Sequence, residues 1–346
     1  MPLPSAPSFG AQEYWNARFT ANPNPFEWLE APNVLDPFLV ETLRTSTEEK
    51  PDILHIGCGT SLLSYHLRAH VKGPEQIHNL DYSDVAIEVG RKREVEIFAL
   101  EGSIGVGNMT DGESTSMANV VAKPSESSPG KAPKPTYMRW SSANLLSYAS
   151  ILGVCEPAKY SVIVDKSTSD SIACADDLYV PLPYPIRTPN KALLSASKLS
   201  QSPEPIHPVH ILAIHLALVT KPSAKWISLS YSEDRFPFLP MSLPTPLDQD
   251  PTIASGSTSP TFTTSAIAEE ESFEDDLDDD LDNIPQTVLD RGFPDPGLLW
   301  RLEAKYDIEV PEQQDSKNGG VTHRPKILHW VYVLVRTDVE LFVESD

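Results

Sequence analysis

The sequence predicts an α/β fold built on a mostly parallel sheet, and three observations carry that expectation. Residues 52–57 (D-I-L-H-I-G) read as a short buried strand running into a glycine-containing turn, after which Leu62, Leu63, His66 and Leu67 recur at helical spacing. Residues 76–82 (Q-I-H-N-L-D-Y) repeat the arrangement: an apolar strand ends in an acid, and Ser83 then caps a helix carrying Val85, Ala86 and Val89. Further short apolar runs follow at intervals along the chain. Two βα units in succession set their strands parallel in one sheet.

The remaining elements extend this sheet. Asp36 followed by Pro37 is a helix start, with Leu35, Phe38, Leu39 and Leu43 as its apolar stripe. Residues 137–140, 160–165 and 226–231 read as the third, fourth and fifth strands, with residues 207–220 as the helix before the fifth. Residues 296–306 read as a helix, and residues 308–310 and 327–336 as two final strands, which brings the expected count to seven.

Composition sets the organisation around that core. A hydrophobic fraction of 40% in 346 residues supports a substantial core, while 33 prolines against 16 glycines point to long irregular stretches. Residues 101–135 are rich in Gly, Ser, Pro and Lys without apolar periodicity; residues 237–285 combine Pro, Ser and Thr with an acidic tract. Both are expected to be disordered insertions in a single domain spanning residues 11–346, behind a flexible N-terminus at residues 1–10. Residues 181–205 form a third irregular stretch, read as a lid or a loop.

The net charge of -22 argues against nucleic acid and favours a basic protein partner, although ten acidic residues within 269–282 carry much of it. Cys58, Cys155 and Cys174 are too few and too irregularly spaced for a disulfide framework or a zinc site, so no metal is expected. The longest apolar run, residues 209–219, is broken by His215 and falls short of the ~20 residues of a membrane span. Without a signal core or transit-peptide pattern, the expectation is a cytoplasmic monomer with no membrane association.

The turn His55-Ile56-Gly57-Cys58-Gly59-Thr60-Ser61 lets a ligand lie against bare backbone at the start of a helix. A dinucleotide site wants a third glycine where Leu62 stands, to bring helix and strand close around a pyrophosphate. S-adenosylmethionine has no phosphate, and two glycines suffice for it. Asp81 lies at the end of the second strand, where a carboxylate can accept hydrogen bonds from both hydroxyls of a ribose.

Six segments together resemble a known family. Tyr14-Trp15-Asn16-Ala17-Arg18-Phe19, Phe26-Glu27-Trp28, I-G-C-G-T-S, Leu80-Asp81-Tyr82-Ser83, Arg139-Trp140 and Val164-Asp165-Lys166-Ser167-Thr168 resemble the ordered motifs of the seven-β-strand (class I) methyltransferases related to the elongation factor 1-alpha lysine methyltransferases. The resemblance implies a Rossmann-like fold with helices on both faces of the sheet, S-adenosylmethionine as cofactor and a protein lysine as acceptor. It implies cofactor contacts from Trp15, Phe19 and Phe26 of an N-terminal segment, from Gly57 and Gly59, from Asp81 and Tyr82 at ribose and adenine, from Asn144 and Leu145 beside the adenine, and from Lys166. Phe19 and Phe26 stand where tyrosine is common, Asn144 where Asp is usual, Ser167 where Gly is customary, and Pro222-Ser223-Ala224 replaces a Pro-Gly-Gly turn.

Methyl transfer needs alignment of a nucleophile with a sulfonium more than it needs acid–base machinery. Asp165 and Lys166, leaving the fourth strand, are the candidate catalytic residues at the rim of the site. A small-molecule methyltransferase closing the 181–205 stretch as a lid, and a methyltransferase-fold binding protein without turnover, are the alternative readings.

Overall fold

The computed structural model describes residues 7–104, 136–189, 199–239, 283–310 and 326–344. Seven strands form one sheet: β1 (Ile53–Ile56), β2 (Ile77–Asp81), β3 (Arg139–Ser142), β4 (Tyr160–Lys166), β5 (Thr220–Ser230), β6 (Trp300–Glu309) and β7 (Leu328–Arg336). Their order is β3-β2-β1-β4-β5-β7-β6. The first five run parallel, and β7 is antiparallel to both of its neighbours. The helices are α1 (Gln12–Ala21), α2 (Asp36–Thr45), α3 (Leu63–His66), α4 (Asp84–Ile104), α5 (Tyr148–Leu152), α6 (Thr168–Ala173), α7 (Pro208–Val219), α8 (Gln286–Asp290) and α9 (Pro296–Leu299).

Strand alternation divides the core into two layers, because successive side chains on a strand face opposite ways. Ile53, Val162, Val164, Ile227 and Leu229 pack on one face with Leu35 and Leu39 of the α2 region and Leu63 and Leu67 around α3. Leu54, Ile163 and Trp226 face the other side and meet α7. All twelve residues of α7 are buried, which is why its sequence is apolar all round rather than striped. No helix among the described residues is long and apolar enough to cross a membrane.

The expected α/β fold, with its seven strands and mostly parallel sheet, is the observed one; several elements differ in extent. Residues 296–306, expected to be helical, form one helical turn at α9 and then enter β6. Trp300 starts a strand in which Leu302, Ala304, Tyr306 and Ile308 alternate with charged residues, and that period of two outweighs the helix-start signal of Pro296. β5 begins at Thr220, six residues before the expected start. Residues 101–104, assigned to the first insertion, continue α4. Phe9, placed in the flexible N-terminus, packs edge-on against Tyr14 and Trp28. The described residues of the 181–205 stretch, 181–189 and 199–205, are anchored rather than free: Leu182, Tyr184 and Ile186 are buried in the α7 layer, and Pro181–Leu182 and Ile186–Arg187 pair with Ser200–Gln201 and Phe342–Val343. Most of both expected insertions, including the acidic tract, lies outside the described residues.

Polar groups are built into this core with partners. His55 Nδ1 lies 3.1 Å from Asn79 Oδ1 on the adjacent strand, and His78 Nε2 lies 3.0 Å from Ser141 Oγ. His215 Nδ1 donates to the Leu145 carbonyl at 2.8 Å, so its Nε2 accepts from the Tyr184 hydroxyl, also at 2.8 Å. Burial lowers each of these three imidazoles to about 4, favouring the neutral ring.

Acid stability follows from these groups. Each histidine takes up its proton near pH 6.5 when unfolded but near 4 when folded, so its contribution is lost as pH falls through that window. Burial raises two carboxylates, Asp81 to about 6 and Asp165 upward, and these act in the opposite sense. Each group changes stability by about 1.4 kcal/mol per pH unit within its window. Three against two leaves a net fall, so the melting temperature is expected to drop between pH 6.5 and pH 5. Scanning calorimetry at the two values checks this, and a constant or rising melting temperature contradicts it.

Candidate functional site

The carboxyl ends of β1, β2, β3 and β4 open on one cleft, which encloses about 980 Å³ of space including its mouth. Its position is where the strand order turns back, between β1 and β4. In an open α/β sheet that crevice is where loops diverge and a ligand finds room.

The turn after β1 forms the floor. Gly57 has φ 56° and Gly59 φ 48°, left-handed values that glycine adopts without strain. A Cβ on Gly57 would lie 2.0 Å from Thr168 Oγ1, and one on Gly59 would lie 3.2 Å from the Phe19 ring. The Thr168 side chain thus fills the space that a side chain at position 57 would need, and the Phe19 ring crowds position 59. The Thr168 hydroxyl donates to the Ile56 carbonyl at 2.9 Å, tying the ends of β1 and β4 together.

Asp81 joins this turn to β2. Its Oδ2 accepts from the Gly59 N–H at 2.7 Å, and its Oδ1 accepts from the Ser83 N–H at 2.8 Å. Burial is the first cause of its raised pKa, about 6, and the backbone N–H groups hold it from rising further. The Tyr82 N–H adds to these donors, and the carboxylate, with four lone-pair sites, retains accepting capacity.

The cover comes from the N-terminal segment. Trp15 and Phe19 stack at 5.7 Å, Trp28 lies edge-on to Phe26 and to Trp15, and the Arg18 guanidinium sits 4.1 Å over the Phe26 ring. Glu27 fastens this cover to the cleft. Its carboxylate accepts from the Ser61 hydroxyl at 2.8 Å, the Leu62 N–H at 2.6 Å and the Lys166 ammonium at 2.7 Å.

Ten of the eleven residues expected at the site line this cleft: Trp15, Phe19, Phe26, Gly57, Gly59, Asp81, Tyr82, Asn144, Leu145 and Lys166. Asp165 does not. It is fully buried in the sheet, accepting from the Thr168 and Ser169 N–H groups, the Ser228 hydroxyl and the Trp226 indole, so it caps α6 and has no route to a substrate. Lys166 lines the wall, but its three donors are spent on Glu27 and on the carbonyls of Trp28 and Glu30 at 2.8 and 2.9 Å. Burial lowers its pKa and Glu27 opposes that, which makes it a clamp on the cover rather than a base. The Asn144 Oδ1 accepts from the Leu146 N–H at 2.9 Å, which fixes the amide orientation.

Sequence reasoning missed Phe9 and His55, which also line the cleft, and Glu27, which holds the cover down. His55 carried a readable signal, being a polar residue inside an apolar strand, with Asn79 opposite it in register. Ser167 was singled out only as a departure from glycine. Its φ of 65° explains the customary glycine, and its buried hydroxyl has no hydrogen-bond partner although it lies on the cleft wall.

The sequence is 32% identical over 174 residues to the methyltransferase srdJ of Neurospora crassa, a stretch that covers 50% of this chain and 58% of that protein. No family profile matches the chain. Among solved structures, magnesium protoporphyrin IX methyltransferase from Synechocystis PCC 6803 matches at 8% identity and TM-score 0.40, covering 97% of this chain and all (100%) of that one. An S-adenosylmethionine-dependent methyltransferase from Anabaena variabilis matches at 10% identity and TM-score 0.39, covering 96% of each chain. The strand order, five parallel strands followed by an antiparallel β7 inserted between β5 and β6, makes the fold a Rossmann-like α/β sheet.

Breaking the Glu27 clamp is the test of this geometry. Glu27→Gln leaves the Lys166 ammonium, 4% exposed, without its carboxylate. Loss of one partner of a buried pair costs about 3–5 kcal/mol, and the partial exposure of Glu27 sets the expectation at the lower end. Thermal unfolding should shift down, and amide exchange should accelerate in residues 9–30 while β4 stays protected. Unchanged exchange in residues 9–30 would mean that the aromatic contacts alone hold the cover.

Proposed function

We propose that this chain is an S-adenosylmethionine-dependent methyltransferase. The observation that carries the reading is Asp81, a carboxylate at the end of β2 with accepting capacity left, hydrogen-bonded to a two-glycine turn at the switch point of the sheet. The cofactor's parts fit the residues present. Asp81 is suited to two ribose hydroxyls, Tyr82, Asn144 and Leu145 to the adenine, and the bare backbone at Gly57 to the amino-acid end. The unpartnered Ser167 hydroxyl supports a polar ligand in the cleft, since such a buried group otherwise costs about 1–3 kcal/mol.

S-adenosylmethionine, when bound, supplies an electrophilic methyl group on a sulfonium. The chain's own part is to bind, align and exclude water. Trp15, Phe19, Phe26 and Trp28 line the cleft and cover it with apolar surface that excludes water. No strong base is needed or supplied: His55 is held at about 4 by burial, and Asp81 is reserved for the ribose. The proton of an ammonium acceptor is given to water, helped by the desolvation that lowers an amine's pKa in such a cleft.

The acceptor we assign is a lysine amine of a basic protein, with elongation factor 1-alpha the substrate that the motif resemblance implies. The net charge of -22 supports this reading, because a negative chain speeds encounter with a basic partner. A small-molecule acceptor is the second reading, favoured by the aromatic cover, which gives the cleft a mostly apolar lining.

The experiment is transfer of a tritiated methyl group from S-adenosylmethionine into recombinant elongation factor 1-alpha and into a size-fractionated lysate, with Asp81→Ala as control. The expected result is label on a protein lysine, at a rate that falls steeply with added salt. Label confined to the metabolite fraction selects the second reading. No label in either fraction, with the cofactor bound normally, means a binding protein without turnover and overturns the enzymatic reading.

A further inference from the structure

We propose that Asp36, His66 and His70 form a binding site for one divalent transition-metal ion of the zinc type, away from the cleft. His66 ends α3, and His70 follows four residues later in the 3-10 turn Leu67–His70, so both rings stand on one side of the same segment. Their Nε2 atoms converge on a single carboxylate oxygen, Asp36 Oδ1, at 2.6 and 3.1 Å. The three candidate donor atoms lie within 4.8 Å of one another, and the imidazole centroids are 5.3 Å apart.

An ordinary ion pair needs one imidazole for one carboxylate, whereas here two rings and a carboxylate from a separate helix meet at one point. That is the donor set of a site with two nitrogens and one oxygen, which suits zinc, nickel or copper and not magnesium or calcium. The backbone is braced for it. Leu35 and Leu39 beside Asp36, and Leu63 and Leu67 beside His66, are completely buried, so the donors rest on anchored turns. The donor side chains are partly exposed, with 34%, 29% and 13% of Asp36, His66 and His70 open, which gives an ion an approach and leaves room for water as a further ligand. On binding, each Nε2 gives up its hydrogen bond to Asp36 and donates its lone pair to the metal, and the ring proton moves to Nδ1 or to solvent.

Such an ion would join α2 to α3. Because α3 begins one residue after Leu62, whose N–H is held by Glu27, the ion would brace the glycine turn from behind. The site does not depend on the proposed methyl transfer.

The test is calorimetric titration of zinc(II) into the full chain after chelator treatment. One ion per chain is expected, with a chelator-reversible rise in melting temperature. Because loss of even an outer-shell partner costs 10–100-fold, His66→Gln, His70→Gln and Asp36→Asn should each weaken binding by at least about tenfold. Cobalt(II), added to the wild-type chain, should shift the imidazole NMR signals of two of the nine histidines, which keeps the test open if a variant folds poorly. Absence of zinc binding, wild-type affinity in all three variants, or paramagnetic shifts on other histidines would overturn the proposal.

Discussion

Strands β1 and β4 lie side by side, but the chain leaves them in opposite directions across the sheet, β1 toward β2 and β4 toward β5. The first five strands are parallel, so all their outgoing turns emerge at one edge, and between β1 and β4 those turns must part. The cleft is the space left by that divergence, and the site residues that follow the strands are placed by it, while Trp15, Phe19 and Phe26 cover it from the N-terminal segment. Gly57 and Gly59 leave β1, Asp81 and Tyr82 end β2, Asn144 and Leu145 follow β3, and Lys166 ends β4. A sheet of the same strands in simple sequential order would offer no such opening.

Two carboxylates then divide the work at the cleft. Asp81 spans the Gly59 and Ser83 N–H groups, fixing the floor while keeping lone pairs for a ligand. Glu27 gathers the Ser61 hydroxyl, the Leu62 N–H and the Lys166 ammonium, fixing the cover. A third, Asp165, is consumed by the fold, since its four donors come from α6 and β5. The acid at the end of a strand can thus be a ligand site or a cap, and only its surroundings separate the two.

This explains what the sequence made legible. The βα units at residues 52–67 and 76–89 and the glycine turn are local patterns, written in neighbouring residues, and the sheet followed from them. Residues 296–306 misled because Pro296 does start a helix, whereas the alternation that ends it lies in an edge strand with charges on its open face. The roles of Asp165 and Lys166 were not legible: each is decided by partners 61 and 139 residues away, Trp226 and Glu27. Conversely Ser167 and Ser223, noted as departures from glycine, both adopt φ of 65°, so the backbone keeps the left-handed turn and bears its strain in a non-glycine residue.

In the proposed function Asp81, in its ionised form, holds the ribose of S-adenosylmethionine at the switch point. Its carboxyl sits at about 6, and a ligand that donates two hydrogen bonds favours the ionised form, so binding should be coupled to this group alone among the cleft acids. Isothermal calorimetry of S-adenosylmethionine across pH 5 to 7.5 measures that coupling. One cofactor per chain is expected at pH 7.5, with an affinity that falls by up to tenfold per unit below about pH 6 and a fall that is abolished in Asp81→Ala. No binding at millimolar cofactor, or the same affinity and pH profile in wild type and Asp81→Ala, would contradict it.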